Sequence, residues 1–497
     1  MPQRLVARAL PELRAVHKPY SWHRLGMRVV SQAARLHTTP RDILNTKKPP
    51  AIRRYRVGYP QQDKLKPPSN FKLVDDPNAW SLPSKDDSPS DEDITLFHHE
   101  NQQTVVLNRQ ALRDACECDK CVDPHSGQKN FGTTDIPDEL PIQSYQRLED
   151  ASLQVIWEKD FLSSGESHNS VYPAKTIRSW FSKSREGFPS LPNMALWDKS
   201  IFEASPSTVK YDDWVAGGPG FHAAVAQLWN FGLLFIDGVP KSEDSVVTVA
   251  SQIGHIMETF YGRTWDVRSK PQAENIAYTN TFLGLHQDLL YTHCPPRIQL
   301  LHCLENTCEG GDSIFSDSQR AAKLMQLGPP GLFKALVNRR IRYHYKKDGH
   351  FYERMMRVLQ DNGDAVFWSP PFQCPEQPSR WSTSGSKHYA IWMKAAKIFR
   401  RLLEDEQWLY EYKLKPGQCV IFDNLRVLHG RRKFDTSSGS RWLKGAYISR
   451  DEWMSKTLTL AEEITAATKN RVPSKLNQAQ KISHWHNVWP SDAETGS

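Results

Sequence analysis

The feature that most constrains how this chain can fold is a series of short apolar runs of strand length with few helical stretches between them. Residues 232–236, 298–304, 340–345, 418–423 and 442–448 read as strands, while helical periodicity is confined to 223–229, 318–327 and 390–404. A doubly wound parallel sheet needs a crossover helix for nearly every strand pair, and that supply is missing. The pattern predicts a mainly β domain over 205–470, a sandwich or barrel with flanking helices. Ahead of it, strand-like 104–107 and 153–157 and helix-like 174–181 predict a small β-rich module over 94–184, with a Ser/Pro-rich gap near 185–210.

The ends read differently. Residues 1–41 hold eight Lys or Arg against one acid, Glu12, with Leu5, Val6, Leu10 and Leu13 among them. This is the composition of a mitochondrial transit peptide, so a leader over 1–40 and a mitochondrial matrix location are expected. Residues 41–93 are rich in Pro, Ser, Lys and Asp and read as a disordered linker, and 471–497 as a C-terminal tail. The basic arm carries +7 of the formal net charge of +8. A near-neutral body has no electrostatic footprint for a polyanion, which argues against nucleic acid as a partner. A mean hydropathy of -0.61 argues against a membrane span, as does the lack of any apolar run near the roughly 18 residues that cross a bilayer.

Three of the eight cysteines crowd together as Cys116, Cys118 and Cys121. Thiolates at this pitch can converge on one tetrahedral zinc, whereas a disulfide between such close neighbours would be strained. The fourth ligand would be His125 or His168. His168 is preferred, because a ligand from the second half of the module would staple a thin core. The remaining cysteines, Cys294, Cys303, Cys308, Cys374 and Cys419, are scattered and read as core or loop residues.

The strongest chemistry lies in His286-Gln287-Asp288 and a distant His429. An H-x-D followed much later by a histidine is the sequence form of the two-His-one-carboxylate triad. Such a triad binds Fe(II) on one face and leaves the opposite positions open. Arg441 lies twelve residues beyond His429, on a strand expected to run beside the one that carries His429. A guanidinium there can bind the distal carboxylate of 2-oxoglutarate bidentately.

Around these residues the stretches 258–265 (ETFYGRTW), 275–279 (NIAYT), 299–304 (QLLHCL), 309–313 (EGGDS) and 422–432 (FDNLRVLHGRR) stand out. Together with 112–118 (LRDACEC), they closely resemble the γ-butyrobetaine dioxygenase and trimethyllysine dioxygenase family over about 95–460. The resemblance implies a double-stranded β-helix core behind a small zinc module, with zinc on Cys116, Cys118, Cys121 and His168. It also implies Fe(II) on His286, Asp288 and His429, and 2-oxoglutarate held by Arg441 in a pocket lined by Ser313 and Leu301. Tyr261, Trp265, Tyr278 and Tyr447 match the aromatic cage for a quaternary ammonium, and Asn275 a contact to the substrate carboxylate. Leu289 stands where a further cage aromatic is expected, and 367–372 departs from a second carboxylate contact. The implied reaction is hydroxylation of γ-butyrobetaine to L-carnitine with O2 and ascorbate, by a monomer or a homodimer. Trimethyllysine, or another small amine or acid, is the alternative substrate, and a non-catalytic binding protein that keeps the fold is the alternative outside enzymes.

Overall fold

A computed structural model describes residues 79–82, 93–99, 102–162, 165–181, 191–205, 207–268, 280–360, 365–376 and 383–471. The expected leader, the tail, and Asn275 and Tyr278 lie outside the described residues.

Two large β-sheets make the core of the main domain, beside the hairpin Arg340–Lys347 with His350–Arg357 and the short pair Glu309–Gly310 with Phe434–Asp435. The larger has six strands in the order Thr208–Lys210, Leu233–Asp237, Gln418–Asp423, Ile298–Asn306, Arg441–Ile448 and Trp265–Arg268. The smaller has four, in the order Leu283–His286, Val427–Arg431, Ser313–Asp317 and Tyr410–Tyr412. Every pairing is antiparallel except that of the short Thr208–Lys210 strand. From Leu283 onward the core strands alternate between the sheets, except that Ser313–Asp317 and Tyr410–Tyr412 share the smaller one, and the domain is the double-stranded β-helix that the family resemblance implies.

The apolar runs are explained by burial on both faces. In Ile298–Asn306, Ile298 and Leu300 pack under helices Gly218–Phe231, Ser245–Ser251 and Arg450–Thr459 through Val225, Val249 and Trp453. Leu301 and Cys303 point the other way and meet Phe235, Phe315 and Phe422 between the sheets. The smaller sheet turns Leu285, Ile314 and Leu428 outward onto helices Ser318–Leu327, Pro330–Asn338 and Thr383–Glu404. A strand covered on both sides loses the polar alternation of a half-exposed one.

The N-terminal module has its own core. Strands Ile142–Arg147, Leu153–Trp157 and His168–Tyr172 form one antiparallel sheet. A second joins Trp80–Ser81, Ile94–His98 and Gln103–Leu107. Leu96, Leu153, Val155, Trp157 and Ile177 are buried together between them. Two readings are corrected here. Trp80 falls in the stretch read as linker, yet it is 3% exposed and pairs with His98, because one indole buries enough surface to fix its short segment. The gap near 185–210 likewise contains helix Lys199–Glu203 and strand Thr208–Lys210, anchored by the fully buried Trp197.

The turn between Asp423 and Val427 carries the chain from the larger sheet to the smaller, and Arg426 holds it. Its guanidinium bonds Asp317 Oδ2 at 3.0 Å and the Asn230 carbonyl at 2.8 Å, and also reaches the Ala195 carbonyl. Both side chains of the Arg426–Asp317 pair are fully buried. Removing one partner strands the other charge, so Arg426→Met should lower the unfolding free energy in urea by about 3–5 kcal/mol. A loss below ~1 kcal/mol would show that the pair is dispensable.

Candidate active site

His286 closes the Leu283–His286 strand and lies directly opposite His429 on Val427–Arg431, with ring centroids 4.3 Å apart. Gly430 permits this pairing. A Cβ there would lie 2.6 Å from the Leu283 carbonyl oxygen, so a side chain would push the two histidine strands apart. His286 Nδ1 lies 2.9 Å from the Gly284 carbonyl, which only accepts; Nδ1 therefore carries the hydrogen and the Nε2 lone pair faces inward. Asp288, two residues on, brings Oδ1 to 3.3 Å from His286 Nε2 and Oδ2 to 3.9 Å from His429 Nε2. One donor atom from each of the three lies within 4.8 Å of the others.

The Asp288 backbone is clamped by Asn424, whose Oδ1 accepts from the Asp288 amide at 2.8 Å. Asn424 Nδ2 in turn donates to the Asp288 and Pro296 carbonyls. Beyond the clamp Leu289 takes a φ of 57°, a left-handed conformation that is strained for leucine. The Asp288 carboxylate accepts from Gln299 Nε2 at 2.8 Å and from the Tyr447 hydroxyl at 2.7 Å. Burial opposes its charge, but the contacts with His286, His429 and Tyr447 prevail and hold it well below the usual carboxylate range. Burial also pushes the His429 imidazolium down to about 3, so the ring is neutral near pH 7 and able to donate a lone pair.

His286, Asp288 and His429 line a cavity that opens to solvent. Arg441, Arg431, Ser313 and Leu301 line the same cavity. The sequence spacing set the Arg441 strand beside the His429 strand, and this is corrected. Between them Phe434–Asp435 pairs with Glu309–Gly310, and the chain crosses to the larger sheet instead of turning back. Arg441 therefore reaches the cavity from the facing wall, on a strand paired with Ile298–Asn306 and Trp265–Arg268. It is 8% exposed, and its Nε has no hydrogen-bond partner among the described residues. Burial lowers it to about 10, which leaves it charged at neutral pH. Arg431 is also buried; burial and then the charge of Arg441 lower it to about 9.

Aromatic rings form the rest of the wall. Trp265 stacks on Tyr447 with centroids 3.8 Å apart and planes at 21°, so each ring covers one face of the other and no ligand fits between them. Tyr261 lines the cavity and packs on Phe260 at 4.1 Å. Leu289 lines it too, as do Tyr291 and Phe372, which the residue patterns did not single out as site residues. No local signal marks Tyr291 or Asn424. Gln299 does have one, as a polar residue inside an otherwise apolar run. Burial, and after it the Asp288 charge, raise the Tyr447 hydroxyl well above its ordinary value, so it remains a donor.

The cysteine cluster assembles in the N-terminal module. His168 Nε2 lies 3.5 Å from Cys116 Sγ and 3.6 Å from both Cys118 Sγ and Cys121 Sγ. Bonds of roughly 2.3 Å to sulfur and 2.0 Å to nitrogen at tetrahedral angles would separate such atoms by about 3.5 Å. His125 is exposed in a turn, its amide bonded to Asp123, and does not join the group. Behind the cluster Asp160 Oδ2 takes His168 Nδ1 at 2.9 Å, and buried Arg113 bridges Asp160 Oδ1 at 2.8 Å and Cys121 Sγ at 3.1 Å. Asp160 and Arg113 carry no recognisable spacing signal, being 47 residues apart.

The double-stranded β-helix, with two histidines, a carboxylate and a buried arginine on one cavity, defines a class of oxygen-using enzymes. Residues 190–447 match the family model described as taurine catabolism dioxygenase TauD, TfdA family, and 90–178 match one described as gamma-butyrobetaine hydroxylase-like, N-terminal. Dioxygenase str8 of Strobilurus tenacellus is 36% identical over 68% of this chain and 82% of its own. A gamma-butyrobetaine dioxygenase of Pseudomonas sp. is 28% identical over 70% and 89%, and the human mitochondrial trimethyllysine dioxygenase 27% identical over 69% and 79%. The chain belongs to the TauD/TfdA dioxygenase family and is an oxygenase.

Gly445 seats the indole of the aromatic wall, since a Cβ there would lie 2.3 Å from Trp265 Cε2. Gly445→Ala should displace Trp265 and reduce turnover at least tenfold while the far-UV circular dichroism is unchanged. Wild-type kinetics in this variant would mean that the wall is not part of the working site.

Proposed function

We propose that the enzyme is an Fe(II)- and 2-oxoglutarate-dependent hydroxylase whose substrate is γ-butyrobetaine, with L-carnitine as product. The observation that carries the reading is Arg441, a buried guanidinium whose Nε is unpaired among the described residues, on the cavity that also gathers His286, Asp288 and His429. A buried unpaired donor costs free energy, and an anionic ligand would relieve it. Two imidazoles and one carboxylate are a fitting donor set for Fe(II). Bound iron would supply the activation of O2 that links decarboxylation of 2-oxoglutarate to hydroxylation of the substrate, with ascorbate keeping the metal reduced.

The chain's own residues do the positioning. Arg441 would hold the distal carboxylate of 2-oxoglutarate, with Ser313 and Leu301 on the adjoining wall. The Trp265–Tyr447 face and Tyr261 suit a trimethylammonium, which offers no hydrogen bond and is attracted to ring faces. Asn275 and Tyr278 are proposed as further substrate contacts. The similarity to gamma-butyrobetaine and trimethyllysine dioxygenases supports a substrate of this kind, and the mitochondrial relatives support a matrix location with 1–40 as leader. In the N-terminal module, Cys116, Cys118, Cys121 and His168 would hold a structural zinc; four protein ligands leave no open position for chemistry. Among the described residues no helix is long and apolar enough to cross a membrane.

Three measurements test this reading. Arg441→Ala should raise the KM for 2-oxoglutarate about a hundredfold, the scale of a charge-assisted pair worth a few kcal/mol; an unchanged KM would move that role to another residue. With saturating iron, ascorbate and 2-oxoglutarate, kcat/KM should be higher for γ-butyrobetaine than for trimethyllysine, and the reverse order would reassign the substrate within the same reaction class. Elemental analysis should find about one zinc per chain besides iron, lost in Cys118→Ser; a chain without zinc would overturn the ligand set.

A further inference from the structure

Asp288 differs from its two partners in how it is held. Its Oδ2 accepts two hydrogen bonds, from Gln299 Nε2 and from the Tyr447 hydroxyl, which stand directly opposite each other on neighbouring strands of the larger sheet. Its Oδ1 faces His286 Nε2 at 3.3 Å. Gln299 is 2% exposed, and its own Oε1 has no hydrogen-bond partner among the described residues. A leucine would fill that strand position without burying an unpaired carbonyl, so the fold alone gives no reason for an amide there. Among the described residues the one bond this side chain makes is to the Asp288 carboxylate. Tyr447 makes two contacts of different kinds, its hydroxyl on Asp288 and its ring stacked on Trp265.

We propose that Gln299 and Tyr447 are positioning residues that hold the Asp288 carboxylate by Oδ2, and that Tyr447 thereby links occupancy of the aromatic wall to the affinity of the metal site. The first half stands on the Asp288 contacts alone. The second rests on the proposed function, because it takes a ligand packed against Trp265 and Tyr447 as the substrate. With Oδ2 engaged twice, the carboxylate is turned so that Oδ1 is the oxygen offered beside His286. A substrate that packs on the Trp265–Tyr447 face restricts the tyrosine ring and so steadies its hydroxyl on Asp288. Binding free energies are reciprocal, so the metal must tighten the substrate by the same factor as the substrate tightens the metal.

The test uses Mn(II) as the metal probe, with free Mn(II) counted by its electron paramagnetic resonance signal in the presence of 2-oxoglutarate, with and without γ-butyrobetaine. Tyr447→Phe keeps the ring and its stacking and removes only the hydroxyl; Gln299→Leu removes the amide. Each should weaken Mn(II) binding about 10–100-fold, the range seen when a partner of a metal ligand is lost. In the wild type γ-butyrobetaine should tighten Mn(II) binding; that effect should vanish in Tyr447→Phe and persist in Gln299→Leu. Wild-type Mn(II) affinity in Tyr447→Phe overturns the proposal, and this near-isosteric variant decides the matter if Gln299→Leu does not fold. Retention of the γ-butyrobetaine effect in Tyr447→Phe overturns the linkage. If both variants lose Mn(II) affinity while γ-butyrobetaine neither shifts the wild type nor is hydroxylated, the positioning role is supported and the linkage to that substrate is overturned. In that case it is the substrate assignment that fails.

Discussion

The site depends on one turn, Asp423 to Val427, and on the buried Arg426 that fixes it. The guanidinium spends its donors on Asp317 and on the carbonyls of Asn230 and Ala195, while the Arg426 carbonyl accepts from the Ser318 amide and hydroxyl. One strand entering this turn belongs to the larger sheet and the strand leaving it to the smaller, so the turn sets their relative placement at the cavity end. It also carries Asn424, which grips the Asp288 backbone. His429 follows two residues after the turn. Two of the three metal-ligand candidates thus take their position from one charged pair that is shielded from water.

Along the space between the sheets the chemistry changes sharply. One end is closed by Phe235, Phe315 and Phe422 in edge-to-face contact, and the other holds histidines, a carboxylate and two arginines. The apolar end supplies the burial that stabilises the sandwich, and polar groups are tolerated at the other because most are hydrogen-bonded. Two atoms that find no partner among the described residues, Arg441 Nε and Gln299 Oε1, belong to residues that line the cavity. The N-terminal module shows the same rule on a smaller scale. Arg113, Asp160 and His168 are buried as one bonded chain behind three thiols.

Much of this was legible in the sequence. Runs such as 298–304 and 418–423 become strands because continuous burial demands continuous apolar sequence. His286, Asp288 and His429 declare themselves because metal chemistry restricts residue types and because two of them share a short spacing. The cysteine triplet is legible for the same reason. Less legible were Trp80 and the 185–210 segment, where single large side chains order stretches whose average composition is polar. The strands Leu283–His286 and Val427–Arg431 were hard to read because histidine and glycine interrupt their apolar pattern at the site itself.

The sequence by itself determined the strand content, the candidate ligand sets and the aromatic character of the pocket, since each is a property of residue types at short range. Only the tertiary structure decided that His168 and not His125 completes the thiol cluster, that Arg441 enters from the facing sheet, and that Trp265 and Tyr447 stack into one wall. It also brought Gln299, Asn424 and Tyr447 onto Asp288 from 11, 136 and 159 residues away. The physical reason is that strand pairing and sheet crossing join residues by register, which no local pattern encodes.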